Sequence, residues 1–148
     1  VKTISLQANP ELELAWRQLG DSIVTFYFEK ARVEYLESLA KTIAMRSSSW
    51  VQASLHLDYL GSYIGNCDST VDMSVTKVGN TSFTLSFRLY QQGDLRVTGN
   101  CVLVNIDHSS NRPAQLSSLQ RQVLDREVLS FYRMQDASHK AVGQAHND

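Results

Sequence analysis

Tyr27-Phe28-Glu29-Lys30-Ala31-Arg32-Val33-Glu34-Tyr35-Leu36 is the stretch whose reading decides the fold. It lies in a run where Val24, Phe28, Ala31, Tyr35, Leu39 and Ile43 recur at intervals of three and four residues, the spacing of one helix face. Ile23, Tyr27 and Leu36 widen that stripe, while Glu29, Arg32, Glu37 and Lys41 fall on its flanks or wet side. So wide a stripe suits a helix lying on a sheet rather than a coiled-coil seam. The spacing predicts one long helix from Ile23 to about Met45, ended by Arg46-Ser47-Ser48-Ser49. Gly20-Asp21-Ser22 stands just before it. Asp21 or Ser22 suits the N-cap, where a side-chain oxygen accepts an otherwise unpaired backbone N–H.

Downstream, the period changes to two. In 50–60, Val51, Ala53, Leu55, Leu57 and Tyr59 alternate with Gln52, Ser54, His56 and Asp58. In 69–78, Val71, Met73 and Val75 alternate with Asp72, Ser74 and Thr76. Gly79-Asn80 makes a turn, and 81–91 sets Phe83, Leu85, Phe87 and Leu89 against Ser82, Thr84, Ser86 and Arg88. Gln92-Gly93-Asp94 turns again. Residues 95–107 carry Val102, Val104 and Ile106 on one face and Cys101 and Leu103 on the other, which suggests a central strand covered on both sides. Pro113 opens a polar turn, and Leu116, Leu119, Val123, Leu124, Val128, Phe131 and Tyr132 form a second helical stripe. Upstream, Asn9-Pro10 favours a turn. Leu12, Leu14 and Trp16 alternate with Glu11, Glu13 and Ala15, which suggests a short strand. The sum is an α+β layout, an antiparallel sheet with a long helix on one face. Its 148 residues suit one domain over 1–134, with a polar, frayed tail at 135–148.

Composition excludes several classes. With 14 basic against 15 acidic residues the formal charge is −1, so no general electrostatic attraction to nucleic acid or membrane is expected. The apolar runs are far short of a bilayer span, and no charged and then apolar leader opens the chain, so a cytoplasmic protein is expected. Cys67 and Cys101 lack a paired spacing and read as free thiols. Asn80-Thr81-Ser82 matches a glycosylation acceptor, a pattern common by chance. His56, His108, His139 and His146 have no ligand spacing, so neither a metal nor a cofactor is expected. There is no Gly-x-Ser-x-Gly elbow and no Gly-rich phosphate loop.

The order of elements resembles the hotdog fold, a long central helix wrapped by a curved antiparallel sheet, here with a further C-terminal helix. More narrowly, the chain resembles the 4-hydroxybenzoyl-CoA thioesterase-like family. Tyr27-Phe28-Glu29-x-Ala31-Arg32-x-Glu34-Tyr35-Leu36 is similar to the family's central-helix signature. Asp58-Tyr59-Leu60 resembles the strand entering its Tyr-Leu-x-Pro turn. Lys77-Val78-Gly79-Asn80-Thr81-Ser82-Phe83 resembles its Gly-x-Ser-Ser-Phe hairpin. Val102-x-Val104-x-Ile106-Asp107, with Arg112-Pro113, resembles the closing strand and its exit. The resemblance spans about residues 20–125 and implies an acyl-CoA or acyl-carrier-protein thioester substrate. It also implies a homodimer with sheets joined edge to edge and substrate bound between protomers, with dimers pairing into tetramers in many relatives.

The segment before the helix departs from the family. An Asp-x-Asp-x-x-Gly-His-Val-Asn-Asn type pattern is usual there. Counted back from Glu29 without gaps, its catalytic Asp falls near Leu14, and its Gly-His part falls on Arg17-Gln18-Leu19-Gly20-Asp21. Ser62 replaces the usual Pro, and Asn66-Cys67 the usual Gly-Asp. Either Asp21 has taken the carboxylate's place in a shortened loop, or the usual catalytic group is lost.

Thioester hydrolysis needs a polarised carbonyl and an activated water or carboxylate nucleophile. A helix N-terminus supplies free N–H groups and the positive end of a dipole. Asp21 is therefore the catalytic candidate, as general base or nucleophile, although capping is the commoner use of Asp there. The backbone amides of Ser22, Ile23 and Val24 are the oxyanion donors. Tyr27, Asp58 and Tyr59 are the substrate-binding candidates. Glu11 and Glu13 are weaker bases, better read as solvated strand-edge charges. The functional expectation is an acyl-thioester hydrolase. The alternatives are a non-catalytic acyl-thioester binding protein and, less favoured, a hydratase or dehydratase, which would need a His near the helix start.

Overall fold

In the computed structural model, which describes residues 1–40 and 50–147, the signature stretch forms the middle of a helix, α2 (Ile23–Leu39). Its buried face is Ile23, Val24, Tyr27, Phe28, Ala31, Tyr35 and Leu36, the stripe read from the spacing. The expected continuation to Met45 and the stop at Arg46–Ser49 lie, from residue 41 on, outside the described residues.

The strands are β1 (Lys2–Leu6), β2 (Trp50–Tyr59), β3 (Ser69–Val78), β4 (Ser82–Gln91), β5 (Asp94–Asp107) and the short β6 (Arg112–Pro113). They pair antiparallel in the order β1-β3-β4-β5-β2, with β6 on the end of β5. This is the hotdog arrangement, with α2 held against one sheet face. That face is lined by Val71, Met73, Val75, Phe83, Leu85, Phe87, Leu89, Val97, Cys101 and Leu103, all buried. Both cysteines are free thiols. Gln92 and Gly93 have φ of 53° and 79°, the pair of positive values that a two-residue hairpin turn requires.

Four readings change. Leu12, Leu14 and Trp16 lie on a helix, α1 (Pro10–Leu19), not on a strand. Asn9 caps it, its Oδ1 accepting the N–H groups of Glu11 (3.0 Å) and Leu12 (3.3 Å), and Pro10 occupies the first helical position where its missing N–H costs nothing. A bulge between Gln52 and Ser54 in β2 flips the alternation, so Val51 points away from the face of Leu55 and Leu57 and is 53% exposed. β5 is an interior strand as expected, paired with both β4 and β2, but its second face is not fully covered, and Val102, Val104 and Ile106 are only half-buried. Residues 135–147, within the segment 135–148 expected as a frayed tail, continue a helix, α3 (Ser118–Asn147).

α3 starts with a reciprocal cap. The Gln120 N–H donates to Ser117 Oγ (3.0 Å), and the Ser117 N–H donates to Gln120 Oε1 (2.9 Å). It then runs back along β3. Arg121 donates to the Gly79 carbonyl (2.9 Å), Leu124 is fully buried, and Tyr35 of α2 donates to Glu127 (3.0 Å).

Gly99 permits the closest approach in the core. A Cβ there would stand 2.4 Å from both Phe87 Cζ and the His56 carbonyl. The space is filled by the Phe87 ring, which stacks on Phe28 of α2 with centroids 3.7 Å apart. Gly99→Ala is expected to cost about 2–3 kcal/mol, since neither backbone nor ring can yield. A urea titration of parent and variant measures it.

Candidate functional site

The site is built where α1 gives way to α2. Gly20, at φ +58°, breaks α1 with a backbone angle that side chains rarely adopt, and Gly20–Ser22 forms a single 3₁₀ turn into α2. Asp21 sits on this turn, exposed, and its backbone carbonyl accepts the Tyr59 hydroxyl at 3.0 Å. Ser22 is the N-cap residue, helical in conformation, with no side-chain cap. Ile23 and Val24 follow, fully buried. The structure thus brings Asp21, Ser22 and Tyr59 together at the point where the start of α2 meets the end of β2. Among the described residues β2 is the last strand of the sheet, and none of them pairs with its outer edge.

Other candidates go elsewhere. Asp58 points to the opposite sheet face from Tyr59, 3.1 Å from His56 Nε2, with both side chains exposed. Tyr27 is buried, its hydroxyl accepting the Asn9 N–H (3.0 Å) and donating to Glu13 (2.9 Å). Glu11 is solvated as expected, but Glu13 is not: it is 6% exposed. Its Oε1 accepts the hydroxyls of Tyr27 and Tyr63 (2.8 Å), and its Oε2 accepts the Asn66 N–H at 3.0 Å. The helix turns this side chain inward, where a strand would leave it in solvent. Tyr63 carries no motif in the sequence, and Asn66 stands out only as a departure from the family's Gly-Asp. The one signal for Glu13 is its place beside Leu14, where the family's Asp falls.

The Glu13 cluster ties α1, α2 and the β2–β3 loop together. Burial, and then the hydrogen bond to Glu13, pushes the Tyr63 phenol far above its ordinary range; Tyr27 is raised for the same first reason. Burial and Glu127 do the same to Tyr35. Burial, with Asp21 nearby, raises Tyr59. Among the described residues no group of three or more His, Cys, Asp or Glu is placed to hold a metal.

A long helix held against an antiparallel sheet, its start exposed beside an unpaired strand edge, defines a protein of the hotdog class. The model of the thioesterase-like superfamily matches residues 17–126, and the chain belongs to that family. Solved structures agree on the fold. A predicted thioesterase from Bacillus stearothermophilus superposes with a TM-score of 0.71 at 22% identity, over 85% of this chain and 95% of that one. A thioesterase from Thermus thermophilus, complexed with coenzyme A and Zn, gives 0.71 at 19% identity, over 85% and 92%. A Staphylococcus aureus protein in complex with CoA gives 0.70 at 13% identity, over 85% and 82%. A comparison with curated proteins gave no match. No helix among the described residues is long and apolar enough to cross a membrane.

The raised phenols carry a pH dependence. In the unfolded chain each ionises near the ordinary value of about 10, and in the folded chain above it. Their contribution to stability is therefore full below about pH 10 and is lost as the pH rises further. Urea titrations at rising pH should show stability falling above about pH 10. Tyr63→Phe should soften that fall, while costing about 1 kcal/mol at neutral pH through the lost hydrogen bond.

Proposed function

We propose that the protein hydrolyses acyl thioesters of coenzyme A or of an acyl-carrier protein, in the cytoplasm, at the start of α2. The observation that carries this reading is the free carboxylate of Asp21 on the turn into α2, beside the unpaired edge of β2. Membership of the thioesterase-like superfamily supports the reaction class. Coenzyme A in the Thermus thermophilus structure supports the leaving group.

In this mechanism Asp21 takes a proton from water as its oxygen attacks the thioester carbonyl carbon. The amides of Ser22, Ile23 and Val24 receive the charge that develops on the carbonyl oxygen. The C–S bond breaks, and the departing thiolate takes up the proton from Asp21. A homodimer joined along the β2 edges places each site between protomers, and a pair of such dimers makes the tetramer. Tyr59 lines the site beside Asp21, and half-buried Leu55 and Leu57 lie on its side of β2.

A second reading, an acyl-thioester binding protein without turnover, is favoured by one observation. The buried carboxylate nearest the family's usual catalytic position, Glu13, is fully occupied by Tyr27, Tyr63 and Asn66.

Thiol release from a panel of acyl-CoAs separates the two. Asp21→Asn should lower kcat by about a hundredfold or more with the fold intact. Glu13→Gln should keep most of the kcat and lose stability. Loss of activity in Glu13→Gln alone would move the base to Glu13. Tight binding without turnover in the parent would establish the second reading.

A further inference from the structure

The sheet face opposite α2 carries a cavity of about 730 Å³ that the thioester site does not use. Strand register sets Asp72, Arg88, Thr98 and Asp58 side by side across β3, β4, β5 and β2. Neighbours in that row are about 5 Å apart. Ser74, Ser86 and Asn100 form the next row. The middle of α3, which runs back along β3, lends Phe131 and Met134 as an apolar wall.

A polar sheet face is ordinarily just solvated, but this one is partly roofed. Ser74 is only 6% exposed, and its hydroxyl makes no hydrogen bond among the described residues. The side chains of Arg88, Thr98 and Asn100 spend none there either. These groups are left for a ligand or for water.

The order of the groups selects the ligand. The carboxylates of Asp58 and Asp72 only accept hydrogen bonds, the Arg88 guanidinium only donates, and Ser74, Thr98 and Asn100 do both. A ligand with a hydroxyl on successive carbons meets each neighbour in whichever role it needs. Val1 also lines the cavity, Asp72 accepts the Thr3 hydroxyl (2.7 Å), and Asp58 lies 3.1 Å from His56, so the two carboxylates and Arg88 leave no excess of one sign, which suits an uncharged ligand. The Phe131 ring offers an apolar face for C–H groups, and the volume is typical of small-molecule sites. We propose that this outer cavity binds a neutral polyhydroxylated ligand of mono- to disaccharide size.

Titration of the ¹⁵N-labelled protein with methyl α-glucoside, maltose and myo-inositol tests the assignment, with glucose 6-phosphate as the anionic comparison. At least one neutral probe should give saturable shifts at the amides of Ser74, Arg88 and Asn100. Asn100→Ala, at an exposed position, and Phe131→Ala should each raise the Kd by about tenfold, roughly one well-made contact, with the remaining spectrum unchanged. Absence of saturation with all three neutral probes would overturn the proposal. So would unchanged affinity in the folded Asn100→Ala protein, or tighter binding of the phosphate ester.

Discussion

The stacking of Phe28 on Phe87 over a missing side chain at Gly99 is the contact on which the architecture depends. A helix normally stands off a sheet by the depth of both layers of side chains. Here the Phe87 ring occupies the room that a Cβ at 99 would take, and Phe28 comes down on it with centroids 3.7 Å apart. That contact fixes α2 in both height and rotation. With Phe28 seated, Val24, Ala31 and Tyr35 lie on the same face by helical geometry. The first turn of α2 is then carried to the end of β2, where Tyr59 reaches the Asp21 carbonyl. The candidate site thus owes its geometry to a glycine on another strand.

Much of the fold is legible in the sequence because its signals are strong and local. The stripe of α2 and the alternations of Val71, Met73 and Val75 in β3 and of Phe83, Leu85, Phe87 and Leu89 in β4 survive, since these residues share one buried face; the register shifts fall only after Val75 and after Leu89. The departures involve either a bulge or a cap. One extra residue in β2 reverses the direction of every side chain before it, and no residue type near Ala53 announces that. Asn9-Pro10 reads as a turn and is also the start of a helix, and Ser117 with Gln120 forms a capping pair inside a stretch whose polarity suggests only a turn. The candidate site is legible only in part. Asp21 and Tyr59 lie together, but Asp58 goes to the other face by the parity of a strand. Glu13 goes inside because its segment is helical.

Acidic groups ahead of α2 divide by environment. Glu13 has all its hydrogen bonds made, which suits a clamp holding α1 to α2 and the β2–β3 loop. Asp21 has none on its carboxylate and stands in solvent, which suits a group kept available. Two acids eight residues apart thus differ sharply, one buried and braced by three hydrogen bonds, the other exposed.

The two flanks of the sheet are unequal. On one side the five-residue β1 pairs only with the first half of β3, and α3 runs along β3, with Glu127 and Arg121 pinned to α2 and to Gly79. On the other side β2 presents ten residues of edge that nothing among the described residues pairs. In the language of polymer chemistry the two ends of the sheet differ in functionality. Strand edges left long and open on both sides would let copies add without end, as in a ribbon or fibre. Here one terminal strand is cut to five residues, and a long helix lies along the remainder of the strand behind it, so the two ends do not offer equal templates for addition.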